Sequence, residues 1–182
     1  MKTALLGIVA LLIGVVTICV LSYISAYNAG NRLEANIRAT YSDNQNILAQ
    51  YSNAVAEAAQ VPGMMRDDLS KVVRDALEAR YGENGARAVF QSIQEQNPQV
   101  DGALYVKIQQ IIQGGRKDFE NGQRKLLDQK RVYETALGSL WQGTWMRVAG
   151  YPKIDLSQYD IVTNARTDAA FETKTEEAIQ LR

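Results

Sequence analysis

The chain has 182 residues, with 20 Lys and Arg against 20 Asp and Glu and no histidine. A net charge of zero without any basic tract speaks against a nucleic-acid partner, whose phosphates demand clustered cations. Without histidine there is no Ser-His-Asp triad, and the usual metal ligand and general base are missing; the single cysteine excludes an internal disulfide.

Residues 4–24, ALLGIVALLIGVVTICVLSYI, form an unbroken apolar run, and no charge falls between Lys2 and Arg32. About 20 such residues span a bilayer core, and a backbone in hydrocarbon must be helical to satisfy its own hydrogen bonds. A cleaved signal peptide is the bland alternative. The run is longer than an ordinary signal core, and the cleavage signal is poor, since Ile24 precedes Ala26 by two residues and Tyr27 precedes Ala29. Cys19 follows Ile18 rather than a small residue, so it reads as one more apolar position and not as a lipid attachment site. Gly7 and Gly14 could let two anchors approach, although their spacing of seven is not the four of the usual motif. Lys2 lies on one side of the span and Arg32 and Arg38 on the other, which leaves orientation open; Tyr23 and Tyr27 fit an interfacial belt.

Beyond the anchor, Leu33, Ile37, Tyr41, Leu48, Tyr51 and Val55 recur at helical spacing. Asn44 fills the missing seam position, and the preferred reading is an exposed or water-bonded amide over a buried register-setting one. Only Gly30 interrupts the passage from anchor to this helix, so one helix is expected to run through both. Val61-Pro62-Gly63 ends it. Next, Met65, Leu69, Val72, Val73, Ala76 and Leu77 form an apolar stripe, stopped by Gly82. Asp67 and Asp68 stand early, where the helix dipole favours negative charge; with no histidine and no companion glycines, this reading outweighs acid–base catalysis. A turn at Glu83-Asn84-Gly85 leads to a short helix burying Val89, Phe90 and Ile93, which ends at Asn97-Pro98.

The third main segment, 99–148, carries Leu104, Ile108, Ile111, Gly115, Phe119, Gly122, Leu126, Tyr133, Leu137 and Leu140 at steps of three or four, with polar Gln129 in the one long gap. Gly115 and Gly122 fall on the seam, where they allow close helix approach. The charges Arg116, Lys117, Asp118, Arg124, Lys125, Asp128, Lys130 and Arg131 read as a solvated face. At its end, LWQGTWMRVAGYP brings Trp141, Trp145 and Tyr151 together as core, interaction surface or membrane-contacting cap, with core the default. If this segment is one straight helix of about 50 residues it reaches roughly 75 Å, against roughly 50 Å for the first helix beyond the membrane. The overshoot carries Trp141 and Trp145. A break at Gly138 or Gly143, a tail packed back, or a second copy would cover them, and self-association is the favoured solution, making Trp141, Trp145 and Tyr151 the candidate protein-contact residues. The tail, 152–182, is poor in large apolar residues; DLSQYDIVTN looks extended and TDAAFETKTEEAIQL suits one short helix.

Tyr27-Asn28 and Asn31-Arg32-Leu33 after the anchor, Tyr133 on the last long helix, and Gly150-Tyr151 closing an aromatic stretch resemble, in order and spacing, the LemA family of bacterial membrane proteins over roughly residues 1–151. Departures are Asn44-Gln45-Asn46 and Val61-Pro62-Gly63 in place of the family's Arg-Arg and Ile-Pro-Asn-Leu, and the loss of its Phe-Pro near Ser139-Leu140. The resemblance implies a single N-terminal membrane helix and an antiparallel helical bundle, with a short N-terminus outside and the bundle in the cytoplasm. It brings no catalytic residues.

The expectation is therefore an all-α protein: an anchor over 1–27, an antiparallel bundle of long helices over 28–151 and a tail over 152–182. It would sit in the inner membrane through residues 4–24 as a non-enzymatic scaffold, without cofactor or metal, forming homo-oligomers and binding a protein partner. The alternatives are a phage or mobile-element envelope factor, for lysis or exclusion, and an enzyme working with Asp, Glu, Tyr or Lys alone.

Overall fold

The 3.6-residue spacing of apolar positions predicts helices throughout, and helices are what form. The computed structural model describes residues 2–60, 66–78, 80–98 and 102–162. Its elements are α1 (Lys2–Ala58), α2 (Arg66–Leu77), α3 (Gly85–Gln96), α4 (Gly102–Gly138) and α5 (Leu140–Val148), with short 3₁₀ turns at Gly82–Asn84 and Leu156–Tyr159. No strand occurs among the described residues. The Val61-Pro62-Gly63 turn, Met65 and the short helix expected in the tail lie outside them.

The expected passage from apolar segment to polar helix without a break is present: α1 is continuous. Within α1, Leu5, Leu12, Val16 and Leu21 are all exposed, and the segment is long and apolar enough to cross a membrane.

The chain divides into two compact units, Met1–Tyr41 with Lys125–Asp160, and Ser42–Arg124 with Ile161–Arg182. The second unit has an aliphatic core. Leu48 and Val55 of α1, Leu69, Val73 and Leu77 of α2, Val89 and Ile93 of α3, and Ile108, Ile112 and Phe119 of α4 are buried together. A helix as short as α2 is marginal alone; its buried face supplies its stability, helped by Asp67 and Asp68 in the first turn and Arg74 in the last. Gly115 is required by close approach, since a Cβ there would stand 2.5 Å from Leu77 Cδ2 and 2.8 Å from Tyr51 Cγ. Tyr51 lies across this glycine and donates to Asp118 Oδ2 at 2.6 Å, and that hydrogen bond, with partial burial, raises its pKa.

Two expectations need correction here. Asn44 is not an exposed amide: it is 3% exposed, its Oδ1 faces Gly122, and neither end of the amide has a hydrogen-bond partner among the described residues. The seam position dominates, because only glycine opposite leaves space for a polar side chain. Nor is Arg116 part of a solvated face. It is half-buried, and its guanidinium donates to the carbonyl of Ala76, left over in the last turn of α2, and to that of Gly82, which opens the following 3₁₀ turn.

The first unit is built from Ala26 and Ile37 of α1, Leu126 and Tyr133 of α4, Met146 of α5 and Tyr151. The expectation of one helix through to residue 148 fails: α4 stops at Gly138 and α5 starts at Leu140. Ser139 takes an extended conformation (φ −69°, ψ 143°) and caps α5, its Oγ accepting from Gly143 N at 3.1 Å and donating to Ala136 O at 2.8 Å. The break is the first of the three solutions considered for the overshoot, and a straight overhang does not form.

Candidate functional site

Where α1 leaves its apolar segment, its inward face changes character. Ala26, Gly30, Glu34 and Ile37 succeed one another at helical spacing and all are buried. Gly30 allows Tyr151 to lie flat against the helix, since a Cβ would stand 2.6 Å from the ring. The Tyr151 hydroxyl donates to Tyr27 O at 3.0 Å, and the two rings meet edge to face at 6.1 Å.

Glu34 is the polar centre of this unit. It is 2% exposed, and its Oε1 accepts from the Tyr133 hydroxyl at 2.5 Å, from Lys153 N at 2.7 Å and from Ile154 N at 3.3 Å. A buried carboxylate persists only when so compensated. Burial first, then the hydrogen bond to Glu34 and its charge, hold the Tyr133 phenol well above its ordinary range. The Lys153 amine lies 4.4 Å from the ring centroids of both Tyr27 and Tyr151. One oxygen of Glu34 thus joins α1, α4 and the chain after α5.

The chain reaches Glu34 through a tight exit from α5. Tyr151 N donates to Met146 O at 3.0 Å and Gly150 N to Arg147 O at 3.0 Å, the paired bonds of a Schellman ending, with Gly150 at φ 83°. Tyr151-Pro152 is a cis peptide. Asp155 then caps the following 3₁₀ turn by accepting from Ser157 N and Oγ, and these bonds lower its pKa. An ion pair between Lys130 and Asp160 and an edge-to-face contact of Tyr41 with Tyr159 fasten that turn. Lys130 is therefore another departure from the solvated face expected of α4. The stretch after residue 152 also departs from the extended form expected, because the Asp155 cap closes a helical turn.

α5 carries a different feature. Gly143 and Met146 face inward, whereas Leu140 is 90% exposed, Trp141 61% and Val148 64%. Positions 140, 141, 144 and 148 share one helical face, so the outward face of α5 is its more apolar one. Trp141 and Trp145 pack edge to face at 5.9 Å. Between them and α1 lies an open groove of about 780 Å³, lined by Leu21, Ser25, Ala29 and Arg32 on the α1 side.

Of the three residues singled out from sequence, Trp141 is exposed, Trp145 half-buried, and Tyr151, at 3% exposure, is part of the core. Trp141 and Trp145 share the groove; Tyr151 packs instead on Gly30. Sequence reading passed over Glu34. Its signal was available, since an acidic residue stands in the Ala26–Gly30–Ile37 stripe where an apolar one is due. Asp67 and Asp68 are exposed, and no group of three or more His, Cys, Asp or Glu among the described residues is placed to hold a metal. Comparison with known proteins finds no matching family model, no matching curated protein and no matching solved structure.

Proposed function

We propose that the protein is a single-pass, membrane-anchored helical scaffold of the LemA-like type, which works by holding proteins at a membrane surface and not by catalysis. The observation that carries this reading is α1 itself, whose exposed apolar segment passes without interruption into the buried stripe Ala26, Gly30, Glu34 and Ile37. A helix of that kind transmits the position of the membrane directly to the unit packed on it. The three hydrogen bonds that Glu34 Oε1 accepts support a structural role for this buried carboxylate. In this reading the helices of each unit pack antiparallel, the anchor lies in the inner membrane, and the helical units face the cytoplasm. Copies associate through the anchor, where Gly7 and Gly14 have open space around them, and not through the Trp141, Trp145 and Tyr151 surface expected from sequence, of which Tyr151 is core.

Carbonate extraction and N-terminal mass spectrometry of membranes expressing the chain test the anchor. The expected outcome is a membrane-retained protein keeping its first residues; a soluble product starting near Tyr27 overturns it. Crosslinking in the same membranes, read by mass spectrometry, should give copies joined through the anchor and a reproducible protein neighbour.

A further inference from the structure

We propose that α5 lies in the membrane–water interface, with Leu140, Trp141 and Val148 among the lipid chains and the groove behind Trp141 and Trp145 filled by phospholipid. The proposal rests on the membrane anchorage above and assigns a second contact with the same bilayer.

The argument is one of depth. The apolar segment of about 20 residues, at 1.5 Å per residue, roughly matches the ~30 Å hydrocarbon layer. The turns that follow it, from Ser25 to Arg32, then stand at the level of the head groups. The groove against α5 is lined by Leu21, Ser22, Ser25, Ala26 and Ala29 on the α1 side. Leu21 belongs to the apolar segment itself. Whatever fills the groove therefore shares the depth of the lipid, and a water-soluble partner does not reach it.

The chemistry agrees with that depth. The outward face of α5 offers Leu140, Trp141 and Val148, and an apolar face of this composition is unfavourable in water. Short helices with Trp and Leu on one face lie in the plane of the interface. Tyr23 and Tyr27, both exposed, extend the same aromatic level along α1. Arg32 closes the polar end of the groove, a position suited to a lipid phosphate. The bend at Ser139 and the Schellman ending at Gly150 hold α5 from both ends, so its depth is set by the fold.

Both tryptophans of the chain are on α5, so their fluorescence reports this helix alone. The test uses the full chain in phosphatidylcholine–phosphatidylglycerol vesicles, separated by flotation. The expected result is co-flotation, emission quenched at least about twofold more by lipids brominated near the head group than near the chain ends, and little quenching by aqueous iodide. Leu140→Glu, on a side chain that packs on nothing, should restore iodide quenching about twofold or more while flotation and helical signal persist. Co-floating protein with iodide-accessible tryptophans overturns the interfacial assignment and leaves the anchor standing. Tryptophans shielded from both quenchers in a co-floating dimer overturn it in favour of a second copy. Failure to float overturns the anchor and the assignment together.

Discussion

Within the second unit, α1 turns Leu48, Val55 and Ala56 inward against aliphatic side chains. Within the first, the same helix turns Gly30 and Glu34 inward, against Tyr151 and Tyr133. Aliphatic contacts are non-directional, so the second unit depends on volume and tolerates shape changes that conserve it. The carboxylate centre is directional, because three donors converge on one oxygen and none has a substitute. One helix can therefore serve two packing regimes, and they should fail in different ways.

The largest expected effect is at Glu34. Glu34→Ala leaves the Tyr133 hydroxyl and two backbone N–H groups without an acceptor, at a cost of about 3–5 kcal/mol. Glu34→Gln keeps an acceptor oxygen and should cost less than half as much. Denaturant unfolding in detergent, followed by hydrogen exchange at residues 26–41, measures both; equal losses would abolish the distinction between the units. In the second unit, Leu69→Ala should cost about 2–4 kcal/mol, whereas Leu69→Met should stay under about 1.5 kcal/mol. Gly143→Ala brings a Cβ against the carbonyl of Leu137, and about 1–3 kcal/mol of overpacking is expected, with a shift in tryptophan emission as α5 reseats.

A smaller effect appears in alkali. The Tyr133 pKa is raised above its ordinary 10.0, so the folded state holds its proton after the unfolded chain has lost it. The stability from this protonated phenol is complete below pH ~10 and declines as pH rises beyond it. Thermal melts from pH 9 to 12 should fall more steeply for the wild type than for Tyr133→Phe, which starts about 1–2 kcal/mol less stable. Parallel curves would show that Tyr133 does not titrate this way. The smallest effect is at Asn44: replacing this buried amide by alanine should change stability by less than about 1 kcal/mol, and in either direction. A loss of several kcal/mol would show that the second unit contains a directional centre of its own.

The helices were legible because their buried faces repeat. Ile37, Leu48 and Val55 on α1, and Ile108, Phe119, Leu126 and Tyr133 on α4, are buried at the spacing read from the sequence. The same spacing misplaced Leu140, which continues the stripe numerically but follows a break it cannot register. Gly138-Ser139 ahead of Gly143 was the local sign, a capping serine and a glycine beneath a carbonyl. Arg116 and Lys130 looked solvated because charge marks a surface on average, whereas here each has a fixed partner. Of the candidate site, the aromatic cluster was visible and its division was not. Tyr151 entered the core because Gly30, remote in sequence, leaves it space, and no pattern local to either residue reports such a pair.

That remoteness has a consequence for the order of assembly. Glu34 meets Tyr133 across 99 positions and Tyr27 meets Tyr151 across 124. At the ~5–20 residues per second of synthesis, the carboxylate waits about 5–20 s for Tyr133, the first of its donors, to be made. Apart from residues after 160, the second unit is one contiguous stretch, Ser42–Arg124, and its contacts become available earlier. A nascent chain therefore has its apolar segment first, an aliphatic unit second, and its tyrosine–carboxylate latch last. Loop-closure entropy makes that latch the slow step, and until it closes, Glu34 remains hydrated.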